Sequence, residues 1–314
     1  MNSSPRFSST TASTADAADA ADAPVPIGEV AGLVRMWDFR PMLPLRPVMF
    51  KRAWASSRYK RPRPQHSEIK PLGRSDLWVV YFAYCPDERF ETHQRFTLER
   101  LKDSGFKVLV ICATRSPAAV PMEIDKYADA LYWKDLPGYD FSAYTLALEL
   151  VSTHSPGATV MILNDSVFGP FADLRPFVAA ARWDLTGFTA SSLEENHVQS
   201  YAFLFHGMDP TRLEALRAVF YKDWAYSHGD GAVYCQETRM ARIASRSMSV
   251  GAFYYSDGKT IDDPCLRRPF ELLDAGFPFL KRSLLGRMHM FQNPDRVREA
   301  LLTYNHPLQI SSPR

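Results

Sequence analysis

Thr159-Val160-Met161-Ile162-Leu163-Asn164-Asp165-Ser166-Val167-Phe168-Gly169-Pro170-Phe171 is an apolar run of strand length that stops abruptly at Asn-Asp-Ser and then turns at Gly-Pro. In an open α/β sheet, ligands collect at the carboxyl ends of the strands, where side chains leave the packed layer and face a crevice. A carboxylate there, flanked by an amide and a hydroxyl, offers oxygens suited to a sugar, a ribose or a hard metal ion. The same three residues also suit an Asx turn that merely closes a buried strand. Both readings stand at this point.

Upstream, Leu77 to Tyr84 is a continuous apolar run, the pattern of a strand buried on both faces. Thr92 to Ser104 reads as a helix with Phe96, Leu98 and Leu101 turned inward and Gly105 as its stop. Lys107 to Cys112 is the next strand, which completes one βαβ unit with a parallel pair. A short strand at 130–133, a helix from Ser142 to Val151 and the strand at 159–165 continue the alternation. Downstream, a helix over 175–181, strands at 183–189 and 200–205, and a helix capped by Thr211 and carrying Leu213, Leu216, Phe220 and Trp224 complete the expectation. The fold class is α/β: a single domain with a mixed, mainly parallel central sheet flanked by helices.

The chain of 314 residues carries a net charge of +2, which does not suggest a dedicated nucleic-acid binder. Cys85, Cys112, Cys235 and Cys265 form no CxxC pair and no zinc spacing, so a reduced, cytoplasmic chain is the simplest reading. No apolar run approaches the roughly 20 residues that span a bilayer, and no secretory leader is read at the start. Residues 1–30, with a repeating Ala-Asp pattern, lack large apolar side chains and read as a disordered tail. Residues 31–75 interleave aromatics with Arg and Lys, broken by prolines. They suit either a basic linker packed on the domain's flank or a peripheral contact with an inner membrane face. The folded domain is expected over 76–305, with 306–314 as a C-terminal tail.

Four stretches carry a resemblance. Gly138-Tyr139-Asp140-Phe141, Leu163 to Pro170, His197-Val198-Gln199-Ser200-Tyr201 and Gly276-Phe277-Pro278-Phe279-Leu280-Lys281 resemble, in order and spacing, the rhamnan synthesis protein F family of bacterial polysaccharide assembly. The resemblance covers about residues 76–290. It implies a GT-A-like fold and an inverting glycosyltransferase that moves a sugar, often rhamnose, from a nucleotide-sugar donor to a cell-surface or lipid-linked glycan. One departure matters: the common Asp-x-Asp is replaced by Asn164-Asp165-Ser166, which leaves dependence on Mg²⁺ or Mn²⁺ open.

Sugar transfer must neutralise a departing diphosphate and remove a proton from the acceptor hydroxyl. Asp165 can hold one divalent ion with help from donor oxygens, and Lys281 with Arg282 can cover phosphates directly. The donor side is assigned Tyr84, Gly138, Tyr139, Asp140, Asn164, Asp165, Ser166 and Lys281. Asp140 also suits the N-terminal turn of the following helix. By the resemblance, Glu237 matches the acid that takes the acceptor proton; it equally suits a helix-surface acid paired with Arg239 or Arg242. His197 is the second candidate for that proton, and with Gln199 it suits sugar or acceptor recognition, whereas Tyr201 suits packing. Asp165, at a strand's open end, is expected to be dispensable for folding. No GxGxxG or GKS/GKT phosphate loop is present, and no Gly-x-Ser-x-Gly elbow. A catalytically silent relative that binds glycan or nucleotide sugar within an assembly complex is the competing class.

Overall fold

Every residue from Trp78 to Ala83 is buried, and a strand with no solvent-facing side belongs in the middle of a sheet with layers on both faces. The computed structural model, which describes residues 26–256 and 263–307, places it there. In chain order the first elements are β1 (Leu33–Asp38), α1 (Arg46–Arg58), β2 (Lys60–Pro62) and β3 (His66–Lys70). The expected alternation follows: β4 (Leu77–Tyr84), α2 (Thr92–Asp103), β5 (Val108–Ala113), β6 (Ala130–Lys134), α3 (Tyr139–His154) and β7 (Ala158–Asn164). Shorter elements come next: β8 (Val167–Phe168), α4 (Arg175–Ala180), β9 (Leu185–Ser191), β10 (His197–Val198) and β11 (Ala202–Met208). After them stand α5 (Pro210–Ala215), β12 (Trp224–Tyr226), α6 (Gly229–Ala232), α7 (Thr238–Ala244) and β13 (Val250–Ser256). The chain closes with α8 (Pro264–Arg267), α9 (Pro269–Asp274), β14 (Leu280–Lys281) and α10 (Pro294–Thr303).

The main sheet runs β1-β13-β9-β11-β7-β4-β5-β6-β3, with β10 added to β9. Strands β4, β5, β6, β7, β9 and β13 point one way, while β11, β1 and β3 oppose them. The sheet is therefore mixed and mainly parallel, as the alternation indicates. Val80 sits opposite Leu109 on one side and Ile162 on the other. Along β4 the side chains sort with period two. Trp78, Val80 and Phe82 join Phe141, Tyr144, Leu148 and Val151 of α3 on one face. Val79, Tyr81 and Ala83 join Leu98 and Leu101 of α2 on the other. Each of the larger buried side chains, such as Val80 or Leu98, contributes roughly 1.5–3 kcal/mol relative to exposure.

Both edges of this sheet come from sequence before Asp76, which corrects the expected start of the domain. β1 pairs with β13, β3 pairs with β6, and Trp37 stacks on Tyr255 with ring centroids 4.1 Å apart. Residues 31–75 are thus part of the domain and not a linker. Their prolines fall in loops, at the end of the short strand β2 (Pro62) or, for Pro47, in the first turn of α1, where the missing N–H costs nothing. Residues 26–30 of the expected tail are also docked: Ile27 and Val30 are buried, and Tyr254 donates its hydroxyl to the Gly28 carbonyl at 2.7 Å. The rest of that expected tail lies outside the described residues.

At the other end, His306 is buried among Phe96, Phe168 and Phe171, so the chain is packed up to that point; 308–314 lie outside the described residues. The expected helix from Thr211 through Trp224 is shorter. Asp209, not Thr211, is the cap, accepting the Arg212 N–H at 2.8 Å, and α5 stops at Ala215. Trp224 instead belongs to β12, opposite Pro62 of β2.

Candidate functional site at the carboxyl ends of the strands

β4, β5, β6 and β7 end side by side at Tyr84, Ala113, Lys134 and Asn164. At the end of β7, Asn164 is buried with every side-chain group engaged. Its Oδ1 accepts the Ser166 N–H at 3.1 Å and the Ser166 hydroxyl at 2.6 Å, which is the Asx turn. Its Nδ2 donates to Asp140 Oδ2 at 3.1 Å and to the Tyr144 hydroxyl at 2.8 Å. Asn164 therefore serves as a turn former and as the bridge between β7 and α3.

Asp165 points the other way, across the top of β4. Its Oδ2 accepts the Tyr84 N–H at 3.0 Å and the Gln94 amide at 2.9 Å, and Arg282 donates to its main-chain carbonyl. Burial pushes its carboxyl up, against the pull of the Tyr84 N–H and the Arg282 charge. Asp165 thus ties β4, β7 and α2 together from a partly covered position, and not from the exposed strand end that was expected. An open cleft of about 370 Å³ lies beside it, lined among others by Tyr84, Arg89, His93, Asp165 and Arg282. Tyr84 is half exposed on the rim. Burial, with Arg282 and His306 nearby, lowers His93 to about 3, so that ring is neutral.

The turn into α3 needs glycine at one place. Gly138 has φ +94, and a Cβ there would stand 2.6 Å from the Ser142 hydroxyl and 2.7 Å from Pro64. Tyr139 follows, also with positive φ, its side chain exposed. Buried Lys134 braces this loop, donating to the carbonyls of Asp135 and Pro137 at 2.7 and 2.8 Å; burial lowers it to about 7. Asp140, in the first turn of α3, accepts the Phe141 N–H at 2.9 Å. Burial, then the nearby Glu237 charge, raises it to about 6.

Glu237 comes in from a different part of the chain. The segment Val233–Glu237 is a π-helical turn leading into α7, and π turns recur at functional sites because they re-aim side chains. Glu237 Oε2 accepts the Ser200 N–H at 3.1 Å and the Ser200 hydroxyl, and its Oε1 is 3.7 Å from His197 Nε2. His197 is buried, and its Nδ1 lies 2.7 Å from the Glu195 carbonyl. The alternative partners for Glu237, Arg239 and Arg242, are used elsewhere: Arg239 reaches Tyr221 and the Cys235 carbonyl, and Arg242 reaches Glu195.

The two halves are joined. The Tyr144 hydroxyl accepts from Asn164 and donates to the Ser200 carbonyl at 2.9 Å. One hydrogen-bonded line therefore runs from Asp140 and Asn164 through Tyr144 to Ser200 and Glu237.

Gln199 is buried, with its amide oxygen accepting from Thr189 at 2.6 Å and its nitrogen donating to Asp263 at 2.9 Å. It holds Asp263, the cap of α8, whose carboxyl burial pushes up and Lys281 and His197 pull down. Lys281 lies over the Tyr201 ring, 4.0 Å from its centroid. Tyr201 itself is packed, as expected. The structure therefore gathers His197, Gln199, Glu237, Asp140, Asn164 and Lys281 into one polar region, with Tyr84, Asp165 and Arg282 around the neighbouring cleft.

Sequence reading missed Ser200 and Tyr144 as members of the line, Asp263 as a third acid, and Glu195. Glu195 is fully buried between Arg52 and Arg242, and Arg52 also donates to Thr238, next to Glu237, at 3.1 Å. Asp263 had a local signal: an Asp directly before Pro264 is a cap followed by proline in the first helical turn. Glu195 had none, because both its partners are remote in sequence.

Fold and site together define an α/β protein with a polar crevice at the carboxyl ends of a mixed, mainly parallel sheet. No family model matches the chain. It is similar to the virulence protein VirA of Vibrio anguillarum, at 23% identity over 203 residues, which are 63% of this chain and 62% of VirA. The chain thus spans about three fifths of the length of the curated relative it matches. Among solved structures it is similar to HddC from Yersinia pseudotuberculosis, with a TM-score of 0.36 and 11% identity, covering 57% of this chain and 90% of HddC. HddC complexed with GMP-PN gives a TM-score of 0.34 at 11% identity, covering 63% and 97%. No helix among the described residues is long and apolar enough to cross a membrane.

Proposed function

We propose that this protein is an inverting glycosyltransferase that uses a nucleotide-sugar donor to extend a glycan. The observation that carries this reading is the line from Asp140 through Asn164, Tyr144 and Ser200 to Glu237, beside a cleft where Arg282 stands against Asp165. The sequence resemblance to the rhamnan synthesis protein F family supports the same class, with rhamnose as a candidate sugar.

The acceptor hydroxyl oxygen attacks the anomeric carbon while the bond from that carbon to the diphosphate oxygen breaks. The electron pair leaves with the nucleoside diphosphate, and the hydroxyl proton passes to Glu237. Ser200 fixes Glu237 Oε2, which leaves Oε1 and the His197 edge as the acceptor side. Arg282 and Lys281 supply positive charge for the diphosphate. Asp140 and the rim of Tyr84 and Tyr139 flank the donor. Were Mg²⁺ or Mn²⁺ bound, Asp165 would hold it, and the ion would supply positive charge for the departing diphosphate. Among the described residues no three His, Cys, Asp or Glu side chains converge as a protein cage, and Mg²⁺ commonly takes just one or two carboxylates.

The competing reading, a silent binder of nucleotide sugar, draws on Asp165 Oδ2 being already engaged by Tyr84 and Gln94. Thermal melting with a panel of nucleoside diphosphates, with and without Mn²⁺, tests the donor site. A ligand that binds only the folded state raises its apparent stability. The expected result is a rise in melting temperature that Arg282→Ala removes. No rise with any nucleoside diphosphate would count against both readings.

A further inference from the structure

The outward face of α1 is apolar where a solvent-facing helix normally carries polar residues. Val48 and Ala55 turn into the protein. Met49, Phe50 and Trp54, at i, i+1 and i+5, lie with Leu43 and Leu45 of the preceding loop on the exposed side. Phe50 is 73% exposed and Leu43 86%, which in a water-facing segment leaves large apolar side chains with nothing to cover them. Exposed apolar clusters of this kind mark a docking surface.

The charge around the face identifies the partner. Between Asp38 and Glu68 the sequence holds no acidic residue. Two cations of α1 are neutralised, Lys51 by Glu194 and Arg52 by Glu195. Those that flank the apolar face, Arg46, Arg58 and Arg61, are exposed, and Arg58 lies over the Trp54 ring. Aromatic and aliphatic side chains between exposed cations match the headgroup boundary of an anionic bilayer. There the apolar groups enter the acyl edge while the cations meet lipid phosphates.

We infer that α1 and the loop before it form an interfacial docking face for an anionic lipid surface. The inference concerns the outer face of α1 and stands whether or not the transfer reaction does. Its inner side links it to the site: Arg52 holds Glu195 and Thr238 beside Glu237. A docked α1 therefore fixes the site relative to the lipid surface.

Co-sedimentation of the full chain with vesicles of phosphatidylcholine alone, or mixed with phosphatidylglycerol, is the test. The expected result is binding to the mixed vesicles, weak binding to the neutral ones, and loss as salt rises. Arg46→Glu, Arg58→Glu and Arg61→Glu should each weaken binding by about fivefold or more. The pair Phe50→Ser and Trp54→Ser should weaken it by roughly tenfold or more. All these residues are exposed, so an unchanged melting temperature confirms the fold of each variant. Absence of binding at low salt overturns the inference. Binding unaffected by the Phe50 and Trp54 changes overturns it too, leaving a purely ionic patch. A dimer in solution that the same pair dissolves would make a second copy the occupant and also overturn it.

Discussion

Ser200 donates its main-chain N–H, at 3.1 Å, and its hydroxyl to one carboxylate oxygen of Glu237. One side of the carboxylate is thereby fixed, and the other faces His197. The carbonyl of Ser200 meanwhile accepts the Tyr144 hydroxyl, so the position of Glu237 depends on a tyrosine of α3 that it does not touch.

That dependence gives the first prediction. Tyr144→Phe keeps the ring and its packing on Phe141 and Phe203 but removes the hydroxyl. The Ser200 carbonyl then loses its donor, and Asn164 keeps only Asp140 for its amide. Leaving a buried polar group unpaired costs about 1–3 kcal/mol, which urea denaturation should read. The transfer rate should fall with unchanged donor affinity. A variant as stable and as active as the parent would remove Tyr144 from the line.

Asp140 predicts a pH dependence. Its folded value of about 6 lies above the ordinary 3.8, because burial and the Glu237 charge disfavour the carboxylate. The folded state therefore holds the proton more tightly than the unfolded one. The resulting stabilisation is fully present below about pH 4 and is lost as pH rises through about 6. A shift of about two units corresponds to at most about 3 kcal/mol. Subtracting the stability of Asp140→Asn from that of the parent at each pH isolates this contribution, since any mismatch of the new amide with Asn164 is independent of pH. The difference should fall across this range; a flat difference would contradict the assignment.

The charge cluster around Glu195 should be costly to break. Glu195 has no solvent exposure, and both its partners, Arg52 and Arg242, are mostly covered. Removing one member of a buried ion pair leaves charge without compensation, typically at about 3–5 kcal/mol. Glu195→Ala should therefore lower stability by about 3 kcal/mol. It should also release the loop that carries His197, whose Nδ1 lies against the Glu195 carbonyl. Denaturant titration gives the first effect, and a loss of activity in the fraction that remains folded gives the second.

The middle of the sheet was legible because β4, β5 and β7 are buried on both faces and their runs stand out as uninterrupted apolar sequence. The strand-end turn was legible for the same reason, since polarity appears abruptly at Asn164. The edges were not. β1 is half exposed along its length and β3 more so, so both look like polar linker, and what holds them is pairing with β13 and β6 from far along the chain. The helix expected through Trp224 failed on tertiary grounds: Trp224 stacks on Tyr221 at 3.6 Å and under Lys60 in a small two-stranded sheet. For the site, Asp140, Asn164, His197, Gln199 and Glu237 could be picked out singly by position. Their connection through Tyr144 and Ser200 could not, because both look like ordinary helix and loop residues until the fold brings them together.

The most direct test of the transferase reading is nucleoside diphosphate release from a panel of nucleotide sugars with glycan acceptors, comparing the parent with Glu237→Gln. The substitution keeps size and hydrogen-bonding shape but removes the basic oxygen. We expect acceptor-dependent release by the parent and a fall of roughly 10²–10⁴-fold in the variant, the usual contribution of a positioned base, with donor-nucleotide affinity nearly unchanged. Release at the parental rate by Glu237→Gln, or no release from any donor by a parent that binds the nucleotide, would contradict it.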